Sequence, residues 1–168
     1  MTRFRRFSLV LISLWLGGMI TLATVAPAVF VTVGQEAGGR VMVRLFPIYY
    51  ATSLGFPAAA MILILIEHRG ASRRGRAAAF TLGTLALALV VAALNWFVLQ
   101  PRIGEVRRAM HGAPGPTDQE VLVDTFGHLH ALSVGALGLL ILLAVAAIVI
   151  EVLAASRLTD SRAGISRK

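Results

Sequence analysis

Four long stretches of the chain contain no Asp, Glu, Lys or Arg, namely 8–33, 45–66, 77–101 and 125–150. Each stretch exceeds the roughly 20 residues that an α-helix needs to cross about 30 Å of hydrocarbon. Because hydrocarbon offers the backbone no hydrogen-bond partners, each stretch must pair its own N–H and C=O groups, as a helix does. The pattern therefore predicts an all-α, four-helix transmembrane bundle that occupies the chain, 1–168, as a single membrane domain.

The first apolar stretch follows three arginines, an arrangement that also begins a secretory signal peptide. Its apolar run continues to Val33, well beyond the roughly 7–15 residues of a signal core. We therefore expect an uncleaved membrane span.

Basic residues are distributed unequally between the two sides of the predicted bundle. The chain has 16 Lys and Arg residues, and most of them lie on the side of the two termini. These are Arg3, Arg5, Arg6, Arg69, Arg73, Arg74, Arg76, Arg157, Arg162, Arg167 and Lys168. Because positively charged segments are retained in the cytoplasm, we expect both termini there, with 157–168 as a cytoplasmic tail of a multi-pass protein in the inner (plasma) membrane.

Composition excludes several classes of protein. Charged residues make up only 14% of the chain, compared with roughly 25% in soluble domains. The chain has no cysteine, which excludes disulfides, thiolate metal sites and cysteine nucleophiles. The net charge of +8 lies on the side of the termini, where it indicates attraction to membrane lipid rather than binding of nucleic acid.

Prolines and glycines predict where the helices start and bend. A short loop is expected from Gly34 to Arg44, where Arg40 and Arg44 lie one helical turn apart, as in an interfacial helical stub. Pro47 is expected in the first turn of the second helix. Pro27 and Pro57 each remove a helix hydrogen bond and are expected to bend their spans.

The segment between the last two stretches carries its own pattern. Ile103, Val106 and Met110 share one face of a predicted short amphipathic helix. A T-x-x-E capping box at Thr117 then predicts that the last helix begins near Asp118, outside the membrane.

Small residues recur at helical spacing within three stretches, where close helix contacts would need them. They are Ser13, Gly17, Thr21, Thr24 and Ala28, then Ala51, Gly55 and Ala59, and finally Gly135 and Gly138. We expect these stripes to face neighbouring helices, or a second copy or another membrane protein.

Chemically unusual side chains concentrate at the predicted outer ends of the helices. The candidate site lining comprises Tyr49, Tyr50, Asn95, Arg107, His130 and Ser133. Tyrosines are common at membrane interfaces, and a buried asparagine often joins two helices. A packing role and a shallow outward-facing pocket both remain open as interpretations.

The two histidines of the last helix cannot share a face. His128 and His130 are separated by about 200° around a helix, and Ser133 lies one turn from His130. We therefore expect His130 to face inward. Asp124 lies on another face from His130, so Ser133 and His130 lack an orienting carboxylate, and no catalytic residue is predicted.

Several short motifs, taken in order, resemble the transmembrane protein 205-like family, whose bacterial members are grouped as domain of unknown function 4149. The motifs are Trp15-Leu16-Gly17-Gly18, Pro27-Ala28-x-Phe30, Ala37-Gly38, Leu45-Phe46-Pro47-x-Tyr49-Tyr50, Pro101-Arg102-Ile103 and Phe126-x-x-Leu129-His130-x-x-Ser133. The resemblance implies a four-helix membrane domain without an agreed activity. It also implies that Arg107 and His130 are the family-like arginine and histidine, whereas the asparagine that family members often carry soon afterwards is absent from 135–140.

The favoured hypothesis is a non-enzymatic membrane protein with a small binding or transport site at the outer leaflet. The Trp-Leu-Gly-Gly start is more distantly similar to copper-resistance domains and haem-linked oxidases, so a haem or copper redox protein that uses His130 is the alternative. A bundle haem usually needs two axial ligands, and only one inward histidine is expected, so no cofactor is predicted and His130 is a weak metal candidate.

Overall fold

The computed structural model describes residues 3–68, 76–112 and 115–165. They form α1 (Arg3–Glu67), α2 (Arg76–Leu94), one π-helical turn (Asn95–Leu99), α3 (Gln100–Gly112) and α4 (Pro116–Ile165). None of these residues lies in a β-strand, so the all-α prediction is confirmed for this part of the chain. Five of the basic residues used above for orientation lie outside the described residues: Arg69, Arg73, Arg74, Arg167 and Lys168.

Within the described residues, three helical segments are long and apolar enough to cross a membrane: Arg3–Glu67, Arg76–Met110 and Thr117–Ser156. Only 17%, 28% and 22% of their most apolar stretches, respectively, are buried inside the protein. Many large apolar side chains therefore remain exposed, for example Phe80 at 67% and Leu142 at 66%. Such surfaces are unfavourable in water and suit a lipid environment, so the fold is of the membrane type.

The backbone of α1 is broken at Gly34, which divides it into two arms, 3–33 and 35–67. Gly34 has φ 80° and ψ 168°, a conformation that side chains disfavour and glycine tolerates. A Cβ added to Gly38 would lie 3.3 Å from the Cα of Phe30. Eight residues of continuous helix would span about 12 Å, so this contact shows that the chain folds back sharply at Gly34.

The structure agrees with a helical stub between the first two apolar stretches but corrects the position of Pro47. Residues 35–44 are helical, and Pro47 lies inside the second arm rather than in its first turn. Pro27 and Pro57 also lie inside helix. The break thus occurs at the glycine, because only that residue has left the helical φ/ψ region.

α2 continues through the π turn into α3 without a loop. Pro101 follows directly after this widened turn. A proline inside a regular helix clashes with the carbonyl four residues earlier, and widening the turn is one way to accommodate it. The predicted amphipathic face of α3 is confirmed, because Ile103, Val106 and Met110 are all half-buried.

α4 begins at Pro116 and continues to Ile165, so it extends well past the apolar stretch at 125–150. The start agrees with the expectation of Asp118 to within two residues. The N–H of Gln119 donates to the carbonyl oxygen of Gly115 at 3.1 Å, so Gly115 rather than Thr117 occupies the capping position.

The core is built from four stripes, one from each arm of α1, one from α2 with the π turn and one from α4, with buried residues three or four positions apart. The stripes are Ser8, Ile12, Trp15 and Met19; Tyr50, Ser53, Pro57, Ala60 and Ile64; Ala78, Thr81, Leu85, Ala88, Ala92 and Asn95; and Leu140, Ala144, Ala147 and Glu151. This spacing is the one by which helices pack at small crossing angles. Many of the buried residues are alanine, which lets the backbones approach closely.

The predicted small-residue stripes do not form these contacts within the chain. Residues 13, 17, 21, 24 and 28 are all exposed, as are Ala51, Gly55, Gly135 and Gly138. A Cβ added to Gly17, Gly55 or Gly135 would meet nothing within 4 Å. The expectation that these stripes pack against neighbouring helices is therefore wrong for the single chain, and the opposite faces form its core.

Candidate functional site

Uncharged polar side chains from three helical segments converge on Ser133 of α4. Its hydroxyl donates to Oδ1 of Asn95 at 2.9 Å and accepts from Nε2 of Gln100 at 3.4 Å. The Tyr50 hydroxyl lies near the side chains of Ser133 and Gln100. We call Tyr50, Asn95, Gln100 and Ser133 the neutral cluster.

The π turn explains why Asn95 and Gln100 reach the same partner. In an α-helix, two residues five positions apart point in directions that differ by about 140°. In the π turn the N–H of Gln100 donates to the carbonyl oxygen of Asn95, so the two residues lie one above the other. π turns are frequent at functional sites, and this one gives the neutral cluster two amides instead of one.

Aromatic rings enclose the neutral cluster on one side. The ring of Tyr50 stacks on that of Trp96 with centroids 5.8 Å apart and planes 15° apart. Tyr49 meets Tyr50 edge to face at 4.9 Å, and Phe46 lies 6.1 Å from the same ring. Tyr50 is only 3% exposed, so it is held by the bundle rather than displayed at its surface as an interface residue.

Four of the six predicted site residues are thus brought together: Tyr49, Tyr50, Asn95 and Ser133. Arg107 lies outside the neutral cluster. Twelve residues of helix separate it from Asn95, or about 18 Å. Its guanidinium lies against Gly39, where an added Cβ would come within 2.5 Å of Nη2. Gly39 therefore permits α3 to approach the start of the second arm of α1.

The structure also places His130 outside the neutral cluster. Both His128 and His130 are exposed, so the expectation that His130 faces inward is wrong. Its ring stacks on Phe126, with centroids 5.8 Å apart and planes 5° apart. His128 Nδ1 lies 3.9 Å from Oδ2 of Asp124, and both of these side chains are exposed.

A second polar group lies at the opposite end of the bundle and was missed by sequence reasoning. Nε of Arg5 donates to Oε2 of Glu151 at 2.5 Å, and the Thr81 hydroxyl donates to Oε1 at 2.8 Å. Arg5 also donates from Nη2 to the Glu151 carbonyl oxygen at 3.3 Å. We call Arg5, Thr81 and Glu151 the charged cluster.

The charged cluster joins the first arm of α1 to α2 and α4. The side chain of Glu151 is 3% exposed and that of Arg5 is 16% exposed. In the sequence Arg5 and Glu151 lie just outside the apolar stretches 8–33 and 125–150, and only Arg5 contributes to the predicted orientation. The sequence feature that points to a buried Glu151 is its spacing. It lies four residues after Ala147 and so continues the stripe of Leu140, Ala144 and Ala147.

No cofactor can be assigned from these groups. Among the residues that the structure describes, no three His, Cys, Asp or Glu side chains come together as a metal site. The haem or copper alternative is not tested by this observation and stays a prediction.

Comparison with known proteins gives a family and no activity. A family described as Domain of unknown function (DUF4149) matches residues 10–112, which include both arms of α1, α2, the π turn and α3. No similar protein with a curated function and no similar solved structure was found. The match spans more than half of the chain, so this membrane-type protein belongs to the DUF4149 family.

Proposed function

We propose that the protein crosses the bacterial inner membrane four times, with both termini in the cytoplasm, and is related to the transmembrane protein 205-like proteins. The sharp reversal at Gly34 supports four crossings, because it turns the 65 residues of α1 into two arms that share one core. The excess of basic residues beside the termini supports the orientation. A reporter fused to the C-terminus that is active only in the cytoplasm tests it, and activity restricted to the periplasm would contradict it.

We further propose that the protein is not an enzyme and that the neutral cluster binds a small uncharged polar molecule or a lipid headgroup at the outer leaflet. The observation that carries this proposal is the convergence of Asn95, Gln100 and Ser133 between the π turn, α3 and α4. Polar side chains at membrane depth cost free energy unless paired, so clusters of them are candidate functional sites.

Access to the neutral cluster is supported by how the outer halves of the helices pack. In the first arm of α1 no residue between 20 and 33 is buried, and in α4 none between 117 and 139 is buried. Among the described residues farther out than the neutral cluster, only Gly38, Gly39 and Met42 of the second arm are buried, so the looser packing of the first arm and α4 supports access from the outer side.

The test is to purify the protein in mild detergent and identify co-purified small molecules and lipids by mass spectrometry. Ser133→Ala and Gln100→Leu are expected to lose a species that the native protein retains. Thr84→Ala is the matched control, because the Thr84 hydroxyl donates only to its own helix at the Phe80 carbonyl oxygen. An unchanged set of bound molecules, together with reduced thermal stability, would identify the cluster as a structural link and overturn the proposal.

A further inference from the structure

Within the described residues, four polar side-chain groups of the two α1 arms are buried without hydrogen-bond partners. One, the Ser8 hydroxyl, lies close to the N-terminus, and the other three are the indole N–H of Trp15 and the hydroxyls of Tyr49 and Ser53. Trp15 is 2% exposed and Ser53 is 1% exposed. A polar group left unpaired in hydrocarbon costs several kcal/mol, so three such groups in one bundle need an explanation.

The three groups lie at one depth. Phe30 and Gly38 touch where α1 folds back, and Trp15 and Ser53 each lie fifteen residues from that contact along their own arms. Two antiparallel arms that rise equally per residue therefore place Trp15 and Ser53 at about the same depth. Tyr49 lies one helical turn from Ser53 on the same arm.

Pro57 removes the usual donor from a backbone carbonyl at the same position. Proline has no N–H, so the helix cannot supply the usual donor to the carbonyl oxygen four residues earlier, which belongs to Ser53. Pro57 is buried, so this carbonyl lies on the interior side of the arm, together with the Ser53 hydroxyl.

The hydrogen-bonding capacities of these groups define what they can bind. Trp15 can only donate, the Ser53 carbonyl can only accept, and the two hydroxyls can do both. None of the four is charged, so the site suits a neutral guest that both accepts and donates. Water does so with two to four partners, which is the usual number for a buried water molecule in a protein.

We propose that Trp15, Tyr49, Ser53 and the carbonyl freed by Pro57 form an internal binding site for water, halfway through the bundle between the arms of α1. The site is independent of the proposed ligand at the neutral cluster. It hydrates the interior of the first hairpin and satisfies the backbone at its bend.

The indole N–H of Trp15 is a direct reporter. The chain has 2 tryptophans, so a sample labelled with ¹⁵N-tryptophan in nanodiscs of deuterated lipid gives two indole signals. Trp96→Phe identifies the signal of Trp15. We expect a cross-peak between this N–H and water, and we expect Ser53→Ala and Tyr49→Phe each to shift the signal.

Ser8→Ala is the matched control, because Ser8 is a buried serine without a hydrogen-bond partner on the same arm, seven residues from Trp15. It should leave the Trp15 signal in place. Thermal unfolding adds a second test, because the two interpretations predict opposite changes in the unfolding temperature of Ser53→Ala. If water bridges the groups, Ser53→Ala lowers the unfolding temperature, whereas removal of an unpaired hydroxyl raises it. The proposal would be overturned by any of three results: no cross-peak between the Trp15 N–H and water, no shift of the Trp15 signal in Ser53→Ala, or a raised unfolding temperature of Ser53→Ala.

Discussion

The two ends of the bundle solve the problem of buried polarity in different ways. At the end that carries both termini, the charged cluster contains an ion pair that is buried between the packed helices. Near the other end, the neutral cluster uses amides and hydroxyls between helices that are only partly buried farther out. Along α2, Thr81 and Asn95 are about 21 Å apart, so the two clusters are independent links between the same helices.

The difference indicates which end is fixed and which can adapt. A buried ion pair tolerates little separation, because each charge left alone in a low-dielectric interior costs much free energy. Neutral hydrogen bonds can be exchanged for bonds to a ligand at small net cost. The charged cluster is therefore suited to hold the helices together, and the neutral cluster is suited to bind a ligand.

The largest expected effect comes from breaking the ion pair on one side only. Arg5→Met should destabilise the protein by about 3–5 kcal/mol, because it leaves the Glu151 carboxylate buried without its cation. The double variant Arg5→Met/Glu151→Leu should recover most of that loss. Thermal unfolding in detergent measures both.

The control for this variant is the exposed pair of Arg40 and Glu36. It has the same 2.5 Å separation, but its side chains are 68% and 85% exposed. Arg40→Met should hardly change stability, since exposed pairs contribute little. Equal losses from Arg5→Met and Arg40→Met would contradict this role of the charged cluster.

A smaller effect is expected at the neutral cluster. Ser133→Ala should cost about 1–3 kcal/mol, because it leaves Oδ1 of Asn95 without its donor in a buried position. In a double-mutant cycle, Asn95→Leu and Ser133→Ala should be strongly non-additive. Additive losses in unfolding measurements would show that the two side chains do not act as a pair.

Thr81→Val separates the two parts of the charged cluster. It removes one neutral donor to Glu151 and keeps Arg5, so the expected loss is about 1–2 kcal/mol, below that of Arg5→Met. Thr84→Val on the same helix provides the comparison, because its hydroxyl serves only its own backbone. If Thr81→Val proved as costly as Arg5→Met, the hydroxyl rather than the ion pair would be the main link.

The smallest effect, and the only stabilising one, is expected on the outer surface of α1. Gly17→Ala places a methyl group where nothing lies within 4 Å, and it replaces a poor helix former. A gain of up to about 1 kcal/mol follows from helix propensity. A loss of stability in monomeric detergent-solubilised protein would show that Gly17 contacts another helix after all.

Sequence alone determined the features that depend on distance along the chain. Apolar runs that lack charge require helices in lipid, so the all-α membrane-type fold and the amphipathic face of α3 followed from composition and spacing. The start of α4 near Asp118 followed from local turn chemistry. The residues Tyr50, Asn95 and Ser133 could be selected because polar side chains are rare at such depth.

The tertiary structure decided which face of each helix turns inward. In a membrane, lipid and protein interior are equally apolar, so hydrophobic periodicity does not distinguish the stripe of Trp15 from that of Gly17. The same ambiguity led to the incorrect inward placement of His130. Likewise, the pairing of Arg5 with Glu151 joins residues 146 positions apart, and only the folded contact between the first arm of α1 and α4 brings the two charges together.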